Sequence, residues 1–152
     1  MSLYLQTTLS ECGLACVGYI AAHHKHEFSM NELRTRFSVS IRGTSLRDLI
    51  HMGEMLGLGA RAVRLNLKGL PKLPVPCILH WDLNHFVVLV RADAKRITVL
   101  DPAVGERTLT LKEASPHFTG VALELAPTQT FEKKTEKTPF DLRVLFAGQQ
   151  GL

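Results

Sequence analysis

The sequence lacks the features typical of membrane-spanning, secreted or nucleic-acid-binding chains. Its longest apolar run, Phe86–Val90, is far shorter than the roughly 20 residues that a membrane helix needs. Residues 1–11 contain neither the basic leader nor the apolar run of a signal peptide. Aromatic residues make up only 7% of the chain and do not alternate with basic residues, and the net charge of +4 is scattered. We therefore expect a soluble domain with no nucleic-acid partner.

Cysteine is also scarce. The chain has 3 cysteines, an odd number that cannot all pair within one molecule, so we expect free thiols and a reducing compartment. What is present is ordinary for a globular protein: 152 residues, of which 45% are hydrophobic and 21% charged. A single domain of this size can bury a core without disulfide bonds.

The first half of the chain has the pattern of amphipathic helices. Apolar residues recur at spacings of three and four, and each predicted helix follows a capping signal. The predicted helices are Cys12–His24, Met30 to about Phe37, and Leu46–Leu56. The predicted caps are Ser10 or Glu11, Ser29 with Glu32, and Ser45 with Asp48, and Gly57 ends the third helix.

The second half changes to short apolar or alternating runs separated by turn residues, which is typical of strands. The predicted strands are Arg61–Leu65, Cys77–Trp81, His85–Arg91, Ile97–Leu100, Arg107–Leu111 and Val121–Leu125, with a short helix in Lys112–Phe118. Helices followed by an antiparallel sheet predict an α+β fold in which a helical N-terminal half packs on a C-terminal antiparallel β-sheet.

The composition changes near Pro127. Residues 128–139 are polar, charged and without periodicity, which is typical of a linker, and Phe140–Leu152 begins another amphipathic segment. We therefore divide the chain into a folded domain, 1–127, and a linker, 128–152, that we expect to lead toward a further domain.

Cys12 is the best candidate for a nucleophile. It begins a predicted helix, where unpaired backbone amides and the helix dipole favour a thiolate. Cys16 lies in mid-helix and Cys77 lies inside an apolar strand, and both fit the alternative role of small buried hydrophobes.

His85 is the best candidate for the base that a thiol nucleophile needs. It begins an apolar strand, where a polar ring requires a partner. Asp101 ends the next predicted strand, and two adjacent antiparallel strands can bring the start of one beside the end of the other. Asp101-Pro102 is also a common turn start. His23, His24 and His26 lie at a polar helix end and are expected to be solvated.

Gln6 supplies a further part of such a site. It precedes Cys12 by six residues, on the segment that leads into the helix. A papain-type site needs a side-chain amide there, beside the backbone amide of the cysteine, to stabilise the oxyanion. Cys12, His85, Asp101 and Gln6 together form our candidate catalytic set.

Three segments carry a family resemblance. Gln6–Cys16 (QTTLSECGLAC), Cys77–Leu89 (CILHWDLNHFVVL) and Leu100–Gly105 (LDPAVG) agree in order and spacing with the peptidase domain of bacteriocin-exporting ABC transporters of the colicin V exporter type. The resemblance covers about residues 4–127. One difference is Glu11, where many members have Asp, and the acidic character is kept.

The resemblance implies a papain-like fold and a role for each residue of the candidate set. Gln6 would be the oxyanion donor, Cys12 the nucleophile, His85 the acid and base, and Asp101 the residue that orients His85. The substrate implied is a precursor peptide with an amphipathic double-glycine leader, cleaved after Gly-Gly or Gly-Ala.

The resemblance also implies a place in a larger protein. The partners would be the transmembrane and ATPase domains of the same transporter, on the cytoplasmic face of the bacterial inner membrane. No cofactor is expected for the peptidase domain itself, while ATP would serve the nucleotide-binding domain.

Two alternatives remain open at this stage. One is a non-catalytic substrate-docking domain of an ABC exporter, although such domains have lost the cysteine that is present here. The other is a zinc site formed by Cys12, Cys16, His80 and His85, whose spacing is looser than structural zinc sites usually show. Separately, Met52, Met55 and Leu58 could line a leader groove, but core packing is the commoner role of such helix positions.

Overall fold

The structure is a computed structural model that describes residues 11–37 and 45–129. Its helices are α1 (Cys12–His23), α2 (Met30–Arg36), α3 (Leu46–Met55) and α4 (Leu111–Ala114), with a 3-10 helix at Leu67–Lys72. Its strands are β1 (Leu58–Arg64), β2 (Cys77–Trp81), β3 (His85–Ala92), β4 (Arg96–Asp101), β5 (Gly105–Thr110) and β6 (Phe118–Pro127). Three helices therefore precede a sheet, and the predicted α+β arrangement is confirmed.

The strands form one antiparallel sheet in the order β1-β6-β2-β3-β4-β5. Both faces are covered, because side chains that alternate along a strand enter two separate cores. One face carries Ile78, Phe86 and Val88 against the helices. The other carries Leu79, Val87 and their neighbours against the 3-10 helix and α4. The central strands are therefore buried on both sides, which explains their continuous apolar runs.

Helix α1 lies at the centre of the molecule. Ten of its twelve residues are buried, so it is apolar almost all round rather than amphipathic. It packs against β3 and β2 of the sheet and against α2 and α3. A helix that is packed on all sides has little freedom to shift, so the position of its first residue, Cys12, is fixed by the core.

The ends of the helices follow the predicted capping signals, with one exception. Ser45 and Asp48 form a capping box at the start of α3, and Ser29 accepts a hydrogen bond from the Glu32 amide. Gly57 takes a φ of 84°, the left-handed conformation that ends α3. The capping role expected of Glu11 is wrong: its side chain makes no cap bond to α1 and instead pairs with Arg34.

The three residues considered for a leader groove have different environments. Met52 and Leu58 are buried in the core, as core packing predicts, whereas Met55 is 63% exposed. Among the helices of residues 11–37 and 45–129, none combines the length and the apolar character required to cross a bilayer.

Candidate active site

Cys12 is the first residue of α1, as the helical pattern predicts. Its relative exposure is only 1%, so the thiol lies in a closed environment rather than on an open surface. Its position at the start of the helix is next to the unpaired amides of the first turn and the positive end of the helix dipole.

His85 and Asp101 are brought together by the pairing of two strands. His85 begins β3 and Asp101 ends β4, and these strands run antiparallel, with Val88 opposite Leu100. His85 Nε2 and Asp101 Oδ1 are 2.7 Å apart. The Ala103 amide donates to the same oxygen at 2.9 Å, which fixes the carboxylate at the turn that follows β4. Asp101 is therefore both a turn residue and the partner of the imidazole.

The third member of the group is the thiol of Cys12. It interacts with the imidazole of His85 and helps to raise the pKa of that ring. Because Nε2 is engaged by Asp101, Nδ1 is the ring nitrogen that remains for Cys12. The structure thus gathers a thiol, an imidazole and a carboxylate, in that order, from α1, β3 and β4.

The electrostatics of the group favour a protonated imidazole. Burial lowers the pKa of His85, but hydrogen bonds to Asp101 and Cys12 and the attraction of their charges outweigh burial and raise it to about 9. Burial likewise raises the pKa of Asp101, but the bonds from His85 and the Ala103 amide and the charges of His85 and Arg107 leave it lowered. At neutral pH, His85 is therefore a cation and Asp101 an anion.

The other two cysteines lie in unreactive environments. Cys16 is completely buried one helical turn after Cys12, and desolvation, followed by the charges of Cys12 and Asp101, raises its pKa well above the usual value. Burial and the charge of Glu124 raise the pKa of Cys77 to about 12. Both are thiols at neutral pH, in line with the structural role expected of them.

Gln6 lies outside the described residues, so its place in the site stays a prediction.

Two other histidine expectations can be compared with the structure. The expected solvation of His26 is wrong: it is 5% exposed and stacks on Phe28, with ring centroids 4.0 Å apart. A short polar segment after α1 folds back on the core, which helical periodicity does not reveal.

His80 has Nδ1 2.9 Å from the Thr119 hydroxyl and Nε2 2.7 Å from the Leu83 carbonyl, so both ring nitrogens already have protein partners. Within residues 11–37 and 45–129, no group of three or more His, Cys, Asp and Glu side chains is placed to hold a metal ion.

Comparison with known proteins gives this arrangement a context. The Peptidase C39 family model matches residues 1–130 of the chain. The chain belongs to the Peptidase C39 family. The resemblance read from the three sequence motifs is thereby confirmed, as is the enzyme class, a cysteine peptidase.

Relatives of this C39 domain include two proteins from Escherichia coli. The colicin V secretion/processing ATP-binding protein CvaB and the probable microcin-H47 secretion/processing ATP-binding protein MchF are each 42% identical to it over 147 residues. These matches cover 97% of the C39 chain but only 21% of each relative. The chain therefore corresponds to about a fifth of the length of these proteins.

Solved structures share the fold. A double glycine motif protease from an AMS/PCAT transporter, crystallised with a leader peptide, is 31% identical, with a TM-score of 0.77 over 84% of this chain and 91% of that one. The peptidase domain of Streptococcus ComA is 24% identical, with a TM-score of 0.75 over 83% of this chain and 98% of that one. The papain-like fold expected from the resemblance is confirmed.

Proposed function

We propose that this C39 domain removes the leader from a bacteriocin or similar secreted peptide precursor, by cleavage after a Gly-Gly or Gly-Ala pair. The observation that carries the proposal is the hydrogen bond between His85 and Asp101, together with the interaction of the Cys12 thiol with the same imidazole. It is supported by the 31% identity to a double glycine motif protease whose structure contains a leader peptide.

In the proposed first step, the Cys12 thiolate attacks the carbonyl carbon of the second glycine. The C–S bond forms as the carbonyl π electrons move to oxygen, and the resulting oxyanion would be stabilised by the Cys12 amide and the Gln6 side chain. The oxyanion then collapses, the peptide C–N bond breaks, and the His85 imidazolium gives its proton to the leaving amine. The products are the free mature peptide and a thioester that links the leader to Cys12.

In the second step, water hydrolyses the thioester. Neutral His85 removes a proton from the water, the new hydroxyl oxygen bonds to the acyl carbon, and the Cys12 sulfur leaves as thiolate. The imidazolium is restored and the leader is released as a carboxylic acid. Asp101 is the orienting residue: its bond at Nε2 keeps Nδ1 directed at the sulfur and stabilises the ring in its cationic form.

The burial of Cys12 agrees with a preference for glycine. A thiol that is 1% exposed leaves little room beside the scissile bond, so a peptide must come close with its backbone. Glycine has no Cβ and makes this approach without a clash. A residue larger than alanine directly before the cleaved bond would require the walls around Cys12 to move.

The relatives named as secretion/processing ATP-binding proteins support a role for the domain in export. We infer that the domain is part of an ABC exporter and works on the cytoplasmic face of the bacterial cell membrane, before the mature peptide is exported. The partners would be the transmembrane and ATPase domains of that transporter. ATP would serve transport, while the peptidase step needs none of its chemistry.

A non-catalytic docking domain is the less favoured alternative. A docking role needs no thiol at a helix start and no imidazole held between a carboxylate and that thiol. The domain has both features. They support hydrolysis over binding alone.

Mass spectrometry of a precursor peptide incubated with the domain tests the proposal. We expect a cut directly after Gly-Gly, at least about 100-fold slower when the second glycine is valine. Cys12→Ala should abolish the cut, while Cys16→Ala, which removes a neighbouring thiol from the same helix, should retain it. Cleavage that persists in Cys12→Ala would rule out the mechanism.

A further inference from the structure

Glu11, the residue directly before Cys12, has a largely buried carboxylate that plays no part in the proposed mechanism. Glu11 stands at the start of α1, and its side chain is only 11% exposed. Consecutive Cα atoms are about 3.8 Å apart, so a carboxylate at this position lies within electrostatic range of the Cys12 sulfur. An unbalanced buried carboxylate would repel a thiolate and oppose its formation.

Arg34 of α2 balances this charge with a two-pronged contact. Its Nε donates to Glu11 Oε2 at 2.7 Å and its Nη2 donates to Oε1 at 3.1 Å. The third nitrogen, Nη1, donates to the Asn31 side chain at 2.9 Å, which holds the guanidinium plane in place. Paired hydrogen bonds of this kind fix orientation as well as charge.

The pair also connects two helices at the catalytic end of α1. Leu33, beside Arg34, is fully buried in the core that contains α1, so α2 is a firm anchor. Glu11 makes no cap bond to its own helix, and its carboxylate is directed toward α2. The first turn of α1, which begins with Cys12, is therefore tied to α2 through this contact.

We propose that the Glu11–Arg34 ion pair is a positioning device for Cys12, which holds the first turn of α1 and neutralises the carboxylate beside the thiol. The inference rests on the proposed role of Cys12 as nucleophile. Glu11 and Arg34 touch no reacting atom in this account. Their effect on the reaction passes through Cys12. The pH midpoint of Cys12 alkylation measures this effect separately from any loss of folding stability.

The ionisable groups around Cys12 come from several elements. They are Glu11 and Cys16 on or next to α1, Arg34 on α2, His85 on β3 and Asp101 on β4, and Arg107 on β5 acts on Asp101. The contacts of His85 and Asp101 do not involve Arg34, so a change in Cys12 reactivity on substitution of Arg34 is assigned to the Glu11–Arg34 pair.

The test is the pH dependence of Cys12 alkylation by iodoacetamide, with peptide mapping to follow Cys12 alone. Arg34→Gln should move the midpoint of the alkylation profile upward by about one pH unit, since it removes the guanidinium that faces the Glu11 carboxylate. Glu11→Gln/Arg34→Gln should return the midpoint to within about 0.3 unit of wild type, because both charges of the pair are removed together. Arg34→Lys should keep the midpoint but lower the maximal cleavage rate, since it preserves charge without the paired bonds.

The matched control is Arg36→Gln on the same helix. It removes an exposed ion pair with Glu32 that is not part of the site, and should leave the profile at its wild-type position. If Arg34→Gln folds poorly, Asn31→Ala gives a milder test: it keeps the pair but loosens the guanidinium, and a smaller upward shift is expected.

Two results would overturn the proposal. One is a wild-type midpoint in Arg34→Gln, and the other is a shift in the double variant as large as in the single variant. Alkylation requires no peptide substrate, so a shifted midpoint in a domain that cleaves no leader would refute the proposed function and leave the positioning role standing. Normal cleavage of the leader with an unshifted midpoint in Arg34→Gln would refute the positioning role and leave the proposed function standing.

Discussion

Replacing Asp101 with alanine removes both the hydrogen bond at His85 Nε2 and the negative charge beside the ring. Burial lowers the pKa of His85, and the contacts with Asp101 and Cys12 raise it from 6.5 to about 9. Among the raising contributions the hydrogen bond to Asp101 is the largest. The net shift corresponds to on the order of 3 kcal/mol in favour of the imidazolium, or roughly 2 kcal/mol after allowance for the partial exposure of the ring.

In Asp101→Ala, the weaker stabilisation of the His85 imidazolium should change the alkaline limb of the pH–rate profile. In the wild-type domain, cleavage should fall as pH rises through about 9, because His85 then loses the proton that the leaving amine needs. In Asp101→Ala this limb should move down by about one to two pH units, since the Cys12 contact remains. Asp101→Asn keeps a hydrogen-bonding group without the charge, and its limb should lie between the other two.

Stability should follow the same titrations. The pKa of His85 is raised, so its contribution is complete below pH 6.5 and is lost as pH rises through about 9. The pKa of Asp101 is lowered from 3.8, so its contribution is present above that value and is lost as pH falls. The free energy of unfolding of Asp101→Ala should therefore differ most from wild type between about pH 4 and 6.5.

The assay is kcat/KM for a Gly-Gly leader peptide from pH 5 to 10, with urea unfolding at pH 5.5 and 9.5. The stability difference should be about 2 kcal/mol at the lower pH and much smaller at the higher one. An alkaline limb that stays near pH 9 in Asp101→Ala would refute the assignment of Asp101 as the residue that sustains the imidazolium. An equal loss of stability at both pH values would refute the linkage.

Three further predictions concern other parts of the domain. Cys16→Ala and Cys77→Ala should keep cleavage and lose about 1 kcal/mol of stability each, measured by urea unfolding, because both are buried fillers; loss of turnover without loss of fold would contradict this. Gly105→Ala should cost about 1–2 kcal/mol, since Gly105 has a φ of +103° and no contact compensates; an unchanged unfolding midpoint would count against backbone strain there. Treatment with EDTA should leave cleavage unchanged, whereas stoichiometric zinc in the purified domain together with chelator-sensitive activity would revive a metal site.

The local features of the fold were predictable from the sequence. β2 spans Cys77–Trp81 as predicted, because an apolar run of this length between turn residues is too short for a helix and typical of a strand. The capping box of α3 depends on Ser45 and Asp48, which are three residues apart, so its signal is contained in the sequence. Hydrophobic periodicity does not predict the 3-10 helix, whose one local signal is Asn66, a side chain that accepts a hydrogen bond from the Gly69 amide.

The site was predictable in part. The juxtaposition of His85 and Asp101 follows from two adjacent strands and a short turn, so the 2.7 Å contact could be anticipated. The Glu11–Arg34 pair could not, because its members are 23 residues apart and meet only through the packing of α2 on α1. The position of Glu11 before α1 predicts a cap for that helix, whereas tertiary packing pairs its carboxylate with Arg34.

The central claim is that Cys12 is the nucleophile, and a leader peptide that ends in a Gly-Gly chloromethyl ketone tests it most directly. We expect one thioether per domain, formed as the Cys12 sulfur bonds to the methylene carbon and chloride leaves, and assigned to Cys12 by peptide mapping. His85→Ala should reduce the rate of its formation, and Cys16→Ala should not. An adduct on Cys16 or Cys77, or continued cleavage of a true precursor once Cys12 carries the adduct, would contradict the account.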